Sequence, residues 1–225
     1  MNKNVKRALV VGVVLTPVVA VATLVSFAQK TKPTTATYMT KEEIDMVSKA
    51  EQDKQTLDMN VKVVDLGYEN FSVGIIHRAS TRNRPANAAG GGGNANANAP
   101  APEPCGRHMD TLPPGGTAGG ITHDFQTEGY LIVSGGGTAF TDGYIVNGRH
   151  SSQNEPGGPN GPSCGGMAYG VRKVELKVGD VMIAPPTVVH GWADIPDHVD
   201  YLSFRPSQQV MQAGWVNPII ANMKP

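Results

Sequence analysis

Short stretches of alternating apolar and polar residues recur through most of the chain, and turn residues such as glycine and proline separate them. A period of two is typical of strands with one buried face. Many short strands with turns between them predict an all-β fold, a single antiparallel β-barrel or jelly roll. The predicted strands are 61–66, 71–77, 119–123, 129–134, 138–141, 144–146, 171–176, 181–184, 188–192 and 199–204.

The remaining segments have other patterns. Thr40 with Glu43 three residues later has the form of a helix-capping box, which predicts a short helix ending near Asp58. Two stretches rich in glycine, asparagine and proline lack periodicity and predict loops, and the end of the chain predicts a short helix and a docking strap. The predicted organisation is a linker and helix in 29–60, a barrel in 61–206 with loops at 82–104 and 148–166, and a C-terminal strap in 207–225.

The beginning of the chain has the pattern of an export signal. A cationic start precedes an uncharged apolar run over residues 8–25, and small residues follow up to Ala28. This pattern predicts a signal peptide in 1–28, cleavage before Gln29 and a periplasmic or secreted protein. The run is somewhat longer than a typical signal core, so an uncleaved membrane anchor is the alternative.

Charge and cysteine content narrow the possible partners. The chain has 225 residues, with 19 Lys and Arg against 19 Asp and Glu, so no basic excess indicates nucleic acid or an anionic membrane as partner. A small molecule or another protein is the expected partner. Cys105 and Cys164 are the only cysteines, and in an oxidising compartment they are expected to form a disulfide between the two loops. Two free thiols remain the alternative.

The segment from Gly115 to Gly135 carries the most specific pattern. It resembles the first motif of the cupin superfamily, G(x)5HxH(x)4E(x)6G, with Gly115, His123, Glu128 and Gly135 at the required positions. The first histidine of that motif is replaced by Ile121.

A second cupin motif, G(x)5PxG(x)2H(x)3N, is matched further along the chain by Gly179, Pro185 and His190. Thr187 replaces its glycine and Asp194 its asparagine. Finding both motifs in order is far more specific than finding either one. The chain is therefore identified as resembling the cupins over most of the predicted barrel.

The resemblance implies a divalent metal ion held by His123, Glu128 and His190 inside the barrel. Two imidazoles and a carboxylate are the donors that hold Fe, Mn, Zn, Cu or Ni while leaving open positions for a substrate. His77 is a candidate to replace the missing histidine, because its strand parity predicts that it faces inward. A rim histidine held by a hydrogen bond is the other interpretation.

Further roles follow from the same strands. Glu128 is expected to be a ligand and a proton acceptor, and Tyr130 shares its strand face and is expected to contact the substrate. Asp194 is expected either to orient His190 or to cap a turn. Other candidates for the pocket wall are Phe125, Phe140, Met182 and Trp192.

Three functions are compatible with these features. The first is an exported metal-dependent cupin with dioxygenase-like or isomerase-like chemistry on a small organic substrate. The second is a metal-free binding module for a sugar or another metabolite, which the replacement at Ile121 favours. The third is a self-associating surface protein, since a homodimer through edge strands is expected of such barrels. Fold resemblance does not select the reaction, because barrels of this kind host many chemistries.

Overall fold

The computed structural model describes residues 33–54, 58–82, 103–152, 160–207 and 210–223, and the fold is stated for these residues. The predicted signal peptide and almost all of the predicted first loop lie outside them. No helix in the described ranges is long and apolar enough to cross a membrane.

An all-β architecture with a short N-terminal helix is confirmed in the described residues, where one helix precedes eleven strands. These elements are α1 (Lys41–Lys54), β1 (Met59–Asp65), β2 (Asn70–Ala79), β3 (Pro104–Cys105), β4 (Thr117–His123), β5 (Glu128–Thr141), β6 (Tyr144–Ser152), β7 (Pro162–Tyr169), β8 (Arg172–Lys177), β9 (Val181–Ala184), β10 (His190–Asp194) and β11 (His198–Ser207).

The strands form an antiparallel sheet in the order β1-β2-β11-β5-β10-β4-β7-β6-β3, and β8 and β9 also pair with β5. Within the described part of the chain this path does not return to β1, so the sheet is open where a closed barrel was predicted. The first half of β5 pairs with β11 and β9, and its second half pairs with β10 and β8. β5 is therefore the strand that joins the two halves of the fold.

Two predicted strands, 129–134 and 138–141, are parts of the single strand β5. The partners of β5 change just beyond Gly135, which has a φ of 62°. A Cβ atom at Gly135 would lie 2.0 Å from the carbonyl oxygen of His198. Only glycine combines this left-handed backbone with so close an approach, so Gly135 lets one strand serve both halves of the fold.

The predicted loop over 148–166 is wrong at both ends, because β6 and β7 extend into it and pair with each other. These strands are rich in glycine and serine, so they lack the apolar alternation that identifies a strand. A Cβ atom at Gly148 would lie 2.9 Å from the sulfur of Cys164, which shows how closely the glycines pack here.

The predicted disulfide between Cys105 and Cys164 is confirmed. It links β3 to β7 across β6, which pairs with both strands. Cys164 belongs to a buried cluster with Phe140 and Ile145, so the disulfide contributes to the apolar core as well as to the covalent structure.

Helix α1 packs on the outside of the sheet. The capping box is present, since the Glu43 N–H donates to Thr40 Oγ1 at 3.3 Å and the Thr40 N–H donates to Glu43 Oε2 at 3.0 Å. Val47 is fully buried against Val61 of β1 and Ile75 of β2. The helix therefore covers one face of the first two strands.

The C-terminal strap follows β1, but the helix predicted within it is not found in residues 210–223, which form turns and bends. The Gly214 N–H donates to the Val63 carbonyl at 2.9 Å, and the Asn217 N–H donates to the Val61 carbonyl at 3.0 Å. Trp215 packs on a buried cluster that includes Val63, so this side chain anchors the strap beside β1.

Glu51 is a buried acid in α1. It is 0% exposed, and its Oε1 accepts a hydrogen bond from the backbone N–H of His77 at 3.1 Å. Burial raises the pKa of Glu51 from 4.5 to about 9, although the hydrogen bond opposes the shift. The folded protein thus keeps a proton that the unfolded chain releases near pH 4.5.

Replacing Glu51 by glutamine is expected to flatten the pH dependence of stability. Stability should fall as the pH rises from about 4.5 towards 9 in the wild type, because folding must then take up a proton. Glu51→Gln removes this cost, so the variant should gain on the order of 2 kcal/mol at pH 7 and much less at pH 5. Urea unfolding of both proteins at the two pH values measures the difference, and parallel pH profiles would contradict the prediction.

Candidate metal centre

Three polar side chains meet in the interior at the ends of three strands. His123 ends β4, Glu128 begins β5 and His190 begins β10, and these residues are 2%, 3% and 1% exposed. Each histidine Nε2 lies 3.0 Å from Glu128 Oε2, and one ligand atom from each residue lies within 4.8 Å of the other two. The structure therefore brings together the three residues that the motif spacing selected.

The three strands that carry these residues are neighbours in the sheet, because β10 lies between β4 and β5. His190 is paired with Ile121 of β4. The Thr187 N–H, in the turn before β10, donates to the carbonyl of His123 at 2.8 Å. The turn that carries His190 is thus tied directly to the strand that carries His123.

The hydrogen bonds of the two Nδ1 atoms identify which nitrogen of each histidine ring carries the proton. His190 Nδ1 donates to the carbonyl of Val188 at 3.0 Å, because a carbonyl can only accept. His123 Nδ1 lies 2.9 Å from Ser163 Oγ, whose own proton is directed to the carbonyls of Asn160 and Gly161. His123 Nδ1 therefore donates as well. A neutral ring with its proton on Nδ1 directs the Nε2 lone pair towards Glu128.

Glu128 presents its two oxygens to different partners. Oε1 accepts from Ser203 Oγ at 3.0 Å and from Arg205 Nε and Nη2 at 3.0 and 2.6 Å. Oε2 faces the two histidines and accepts from the Tyr130 hydroxyl at 3.1 Å. Arg205 is 0% exposed and also donates to Asp58 Oδ2 at 2.6 Å, so a buried chain of charges lies behind the carboxylate.

The electrostatic surroundings favour an ionised carboxylate at Glu128 and uncharged side chains at His123 and Tyr130. Burial alone would raise the pKa of Glu128, but the charge of Arg205 opposes it and holds that pKa well below its usual range. Burial lowers the pKa of His123, and burial beside Glu128 raises the pKa of Tyr130 well above its usual value. Tyr130 consequently remains a hydrogen-bond donor.

This arrangement can hold a cation. Two imidazole lone pairs and a carboxylate oxygen face one another at hydrogen-bond distance, and such acceptors repel unless a proton or a metal ion lies between them. Imidazole and carboxylate donors suit first-row divalent ions. Among the described residues, His123, Glu128 and His190 are the group of three or more potential ligands that meets this geometry.

His77 is not part of the group, so its predicted inward orientation is wrong. Its Nδ1 lies 2.6 Å from Asp200 Oδ1, and its backbone N–H contacts Glu51 of the helix. The neighbouring Ile76 is the residue of β2 that packs in the interior cluster. Because α1 covers the opposite face of β2, apolar residues on that face made it resemble an interior face in the sequence.

The other predicted contacts have mixed outcomes. Tyr130 lies beside Glu128 as its strand parity predicted. Phe125 is 62% exposed, so its predicted place in the pocket wall is wrong. Asp194 pairs with Arg82 and Thr81 rather than with His190, whose ring is oriented by the Val188 carbonyl instead. The remaining candidates, Phe140, Met182 and Trp192, pack in or against apolar clusters of the core.

Ser203 and Arg205 were not predicted, although the sequence contains a signal for them. Burial along β11 alternates strictly, and the buried positions are the odd-numbered ones from Val199 to Ser207. An arginine on the buried face of a strand requires an acidic partner inside the protein. Parity on β11 would therefore have placed Arg205 beside an interior carboxylate.

No protein-family description matches the chain, and a search of curated proteins also finds no match. The functional argument consequently depends on the fold and on the geometry of this centre.

Proposed function

We propose that this chain is an exported cupin-like protein that binds one divalent metal ion through His123, Glu128 and His190. The observation that carries the proposal is the convergence of two Nε2 atoms on Glu128 Oε2, with both Nδ1 atoms engaged elsewhere. A neutral imidazole held in this way offers its lone pair to a metal, which is the usual arrangement of metal-binding histidines. The disulfide supports export to an oxidising compartment.

The backbone at the motif positions also supports a cupin-like site. Gly115, Gly135 and Gly179 have φ values of 81°, 62° and 90°, so each motif glycine occupies a conformation that favours glycine. Thr187, which replaces a motif glycine, keeps a left-handed φ of 66°. The turn before His190 thus keeps the backbone conformation that a glycine would adopt. For threonine this conformation lowers the free energy of unfolding by about 1 kcal/mol.

The proposed activity is dioxygenase-like or isomerase-like chemistry on a small organic substrate. A bound ion would polarise a substrate oxygen or bind dioxygen, because three protein ligands leave coordination positions open. In this scheme His123 and His190 supply nitrogen ligands and Glu128 supplies Oε2. The Tyr130 hydroxyl keeps its proton, donates a hydrogen bond to Glu128 Oε2 and borders the site.

A metal-free binding module is the second candidate, because Ile121 occupies a motif ligand position and is paired with His190. Chelation separates the two. Binding of candidate sugars and organic acids is measured by calorimetry on protein as purified and again after dialysis against a chelator. A metal-dependent site loses its ligand affinity with the ion and regains it when the ion is restored. Affinity that survives chelation unchanged favours the binding module.

Restoring the motif histidine is expected to strengthen metal binding. Ile121 lies opposite His190 on the neighbouring strand, and His123 lies two residues further along β4, so an imidazole at 121 would share their face. Ile121→His should tighten binding by roughly tenfold or more through an added nitrogen ligand, and it should lower stability by about 1–3 kcal/mol through lost apolar packing. Competition with a chromophoric chelator measures the affinity. An unchanged affinity would mean that residue 121 does not reach the ion.

A further inference from the structure

The two residues of β11 that donate to Glu128 contact only one of its two oxygens. Ser203 Oγ and two nitrogens of Arg205 all donate to Oε1, at distances of 2.6 to 3.0 Å. Both residues are 0% exposed and lie on the buried face of β11. Three donors saturate the lone pairs of one carboxylate oxygen, so Oε1 has no capacity left for a metal ion.

Arg205 is itself fixed from the other side. Its Nη2 donates to Asp58 Oδ2 at 2.6 Å and its Nη1 donates to Asn60 Oδ1 at 3.3 Å, so every guanidinium nitrogen has an acceptor. Asp58 directly precedes β1 and Asn60 lies within it, whereas Arg205 is on β11 and Glu128 on β5. A planar guanidinium that is also held by two acceptors from another part of the chain cannot turn to follow the carboxylate.

We propose that Arg205 and Ser203 are positioning residues that restrict Glu128 to binding the metal ion through Oε2 alone. The inference rests on the proposed metal site. A carboxylate that binds through one oxygen occupies one coordination position of the ion, whereas a carboxylate that binds through both oxygens occupies two. We call Arg205 and Ser203 the clamp. By restricting Glu128 to one oxygen, the clamp keeps one more coordination position of the ion open for substrate or dioxygen.

The clamp also assigns Glu128 a narrower role than the sequence suggested. Oε1 is committed to three donors, and Oε2 faces both imidazoles and the Tyr130 hydroxyl. With Oε2 on the ion, neither oxygen is available to accept a proton from substrate. Glu128 is then a ligand and not the general base of the reaction.

The coordination mode of Glu128 can be measured directly by infrared difference spectroscopy with and without Zn(II), on protein containing carbon-13 glutamate. The separation between the asymmetric and symmetric carboxylate stretches is larger for one-oxygen than for two-oxygen binding. Wild type should show the large separation. Arg205→Lys and Ser203→Ala should both narrow it and should weaken Zn(II) binding by roughly 10- to 100-fold.

Ser207→Ala is the matched control. Ser207 is a buried serine on the same face of β11, but its hydroxyl donates to the Val210 carbonyl and does not contact Glu128. Ser207→Ala should leave the carboxylate stretching frequencies at their wild-type values. Any loss of stability that comes from replacing a buried serine should also be seen in this variant. If Arg205→Lys does not fold, Ser203→Ala provides the comparison alone.

Three results would overturn the assignment. Variants with the wild-type separation, or a wild type that already has the narrow separation, would show that Arg205 and Ser203 do not set the binding mode. A wild type without any Zn(II)-induced change would instead remove the metal site and with it this role of the clamp. The first pair of results leaves the proposed function intact, so the two failures are distinguishable.

Discussion

His190→Ala is expected to abolish stoichiometric metal binding. The substitution leaves one imidazole and one carboxylate, too few donors to hold a divalent ion firmly in competition with water. His190 is 1% exposed and its Nε2 lies 3.0 Å from Glu128 Oε2, so no other described histidine occupies its place. The affinity for the metal ion should fall by more than about 100-fold, which exceeds the loss typical of residues that contact a ligand but not the ion. Calorimetric titration with Zn(II) and with Mn(II) measures the change.

Two histidine variants serve as controls for His190→Ala. His150 contacts Asp124 at 2.9 Å and His77 contacts Asp200, and neither contacts Glu128. His150→Ala and His77→Ala should therefore bind metal as the wild type does. Equal losses in all three variants would mean that the ions bind at scattered surface histidines. An effect of His77→Ala alone would restore it as a ligand.

Of the changes proposed for this protein, removal of the disulfide is expected to cause the largest loss in the free energy of unfolding. Cys105 and Cys164 are 59 residues apart in the sequence, and opening a loop of that length costs about 4 kcal/mol in the chain-entropy model. The double variant Cys105→Ser, Cys164→Ser avoids leaving a single free thiol. It also places hydroxyls in an apolar cluster, which adds to the destabilisation.

Urea denaturation of the double variant and of wild type measures the contribution of the disulfide. Wild type treated with a reductant is the control, because it lacks the bond but keeps both cysteine side chains. It should lose most of the same free energy of unfolding. A loss below about 1 kcal/mol in both samples would contradict the prediction and would indicate that the unfolded chain is compact without the bond.

Strands could be predicted where alternation is clear, as in β2 and β11, and could not where small residues replace apolar ones. Beyond Val146, β6 pairs with β7 at positions that include Gly165 and Ser163, where close backbone approach replaces the packing of apolar side chains. It is harder still to predict which face of a strand points to the interior of the sheet. His77 follows apolar residues on the face of β2 that the helix covers, and the sequence alone does not distinguish a helix-covered face from the sheet interior.

The three candidate ligands could be predicted because motif spacing is local information. The residues that support them come from distant parts of the chain and meet only in the fold. Ser163 lies on β7 and contacts His123, while Arg205 on β11 contacts Glu128. Contacts of this length depend on the order of strands in the sheet, which alternation does not determine.

Titration of metal-free wild type with Fe(II), Mn(II), Zn(II), Cu(II) and Ni(II) tests the central claim most directly. Calorimetry at neutral pH, with Fe(II) handled without oxygen, reports the number of ions bound for each chain. The converging Nε2 and Oε2 atoms predict one tight ion per chain for at least one of these metals. Failure of every metal to bind at this stoichiometry would contradict the metal centre, and the metal-free binding module would replace it.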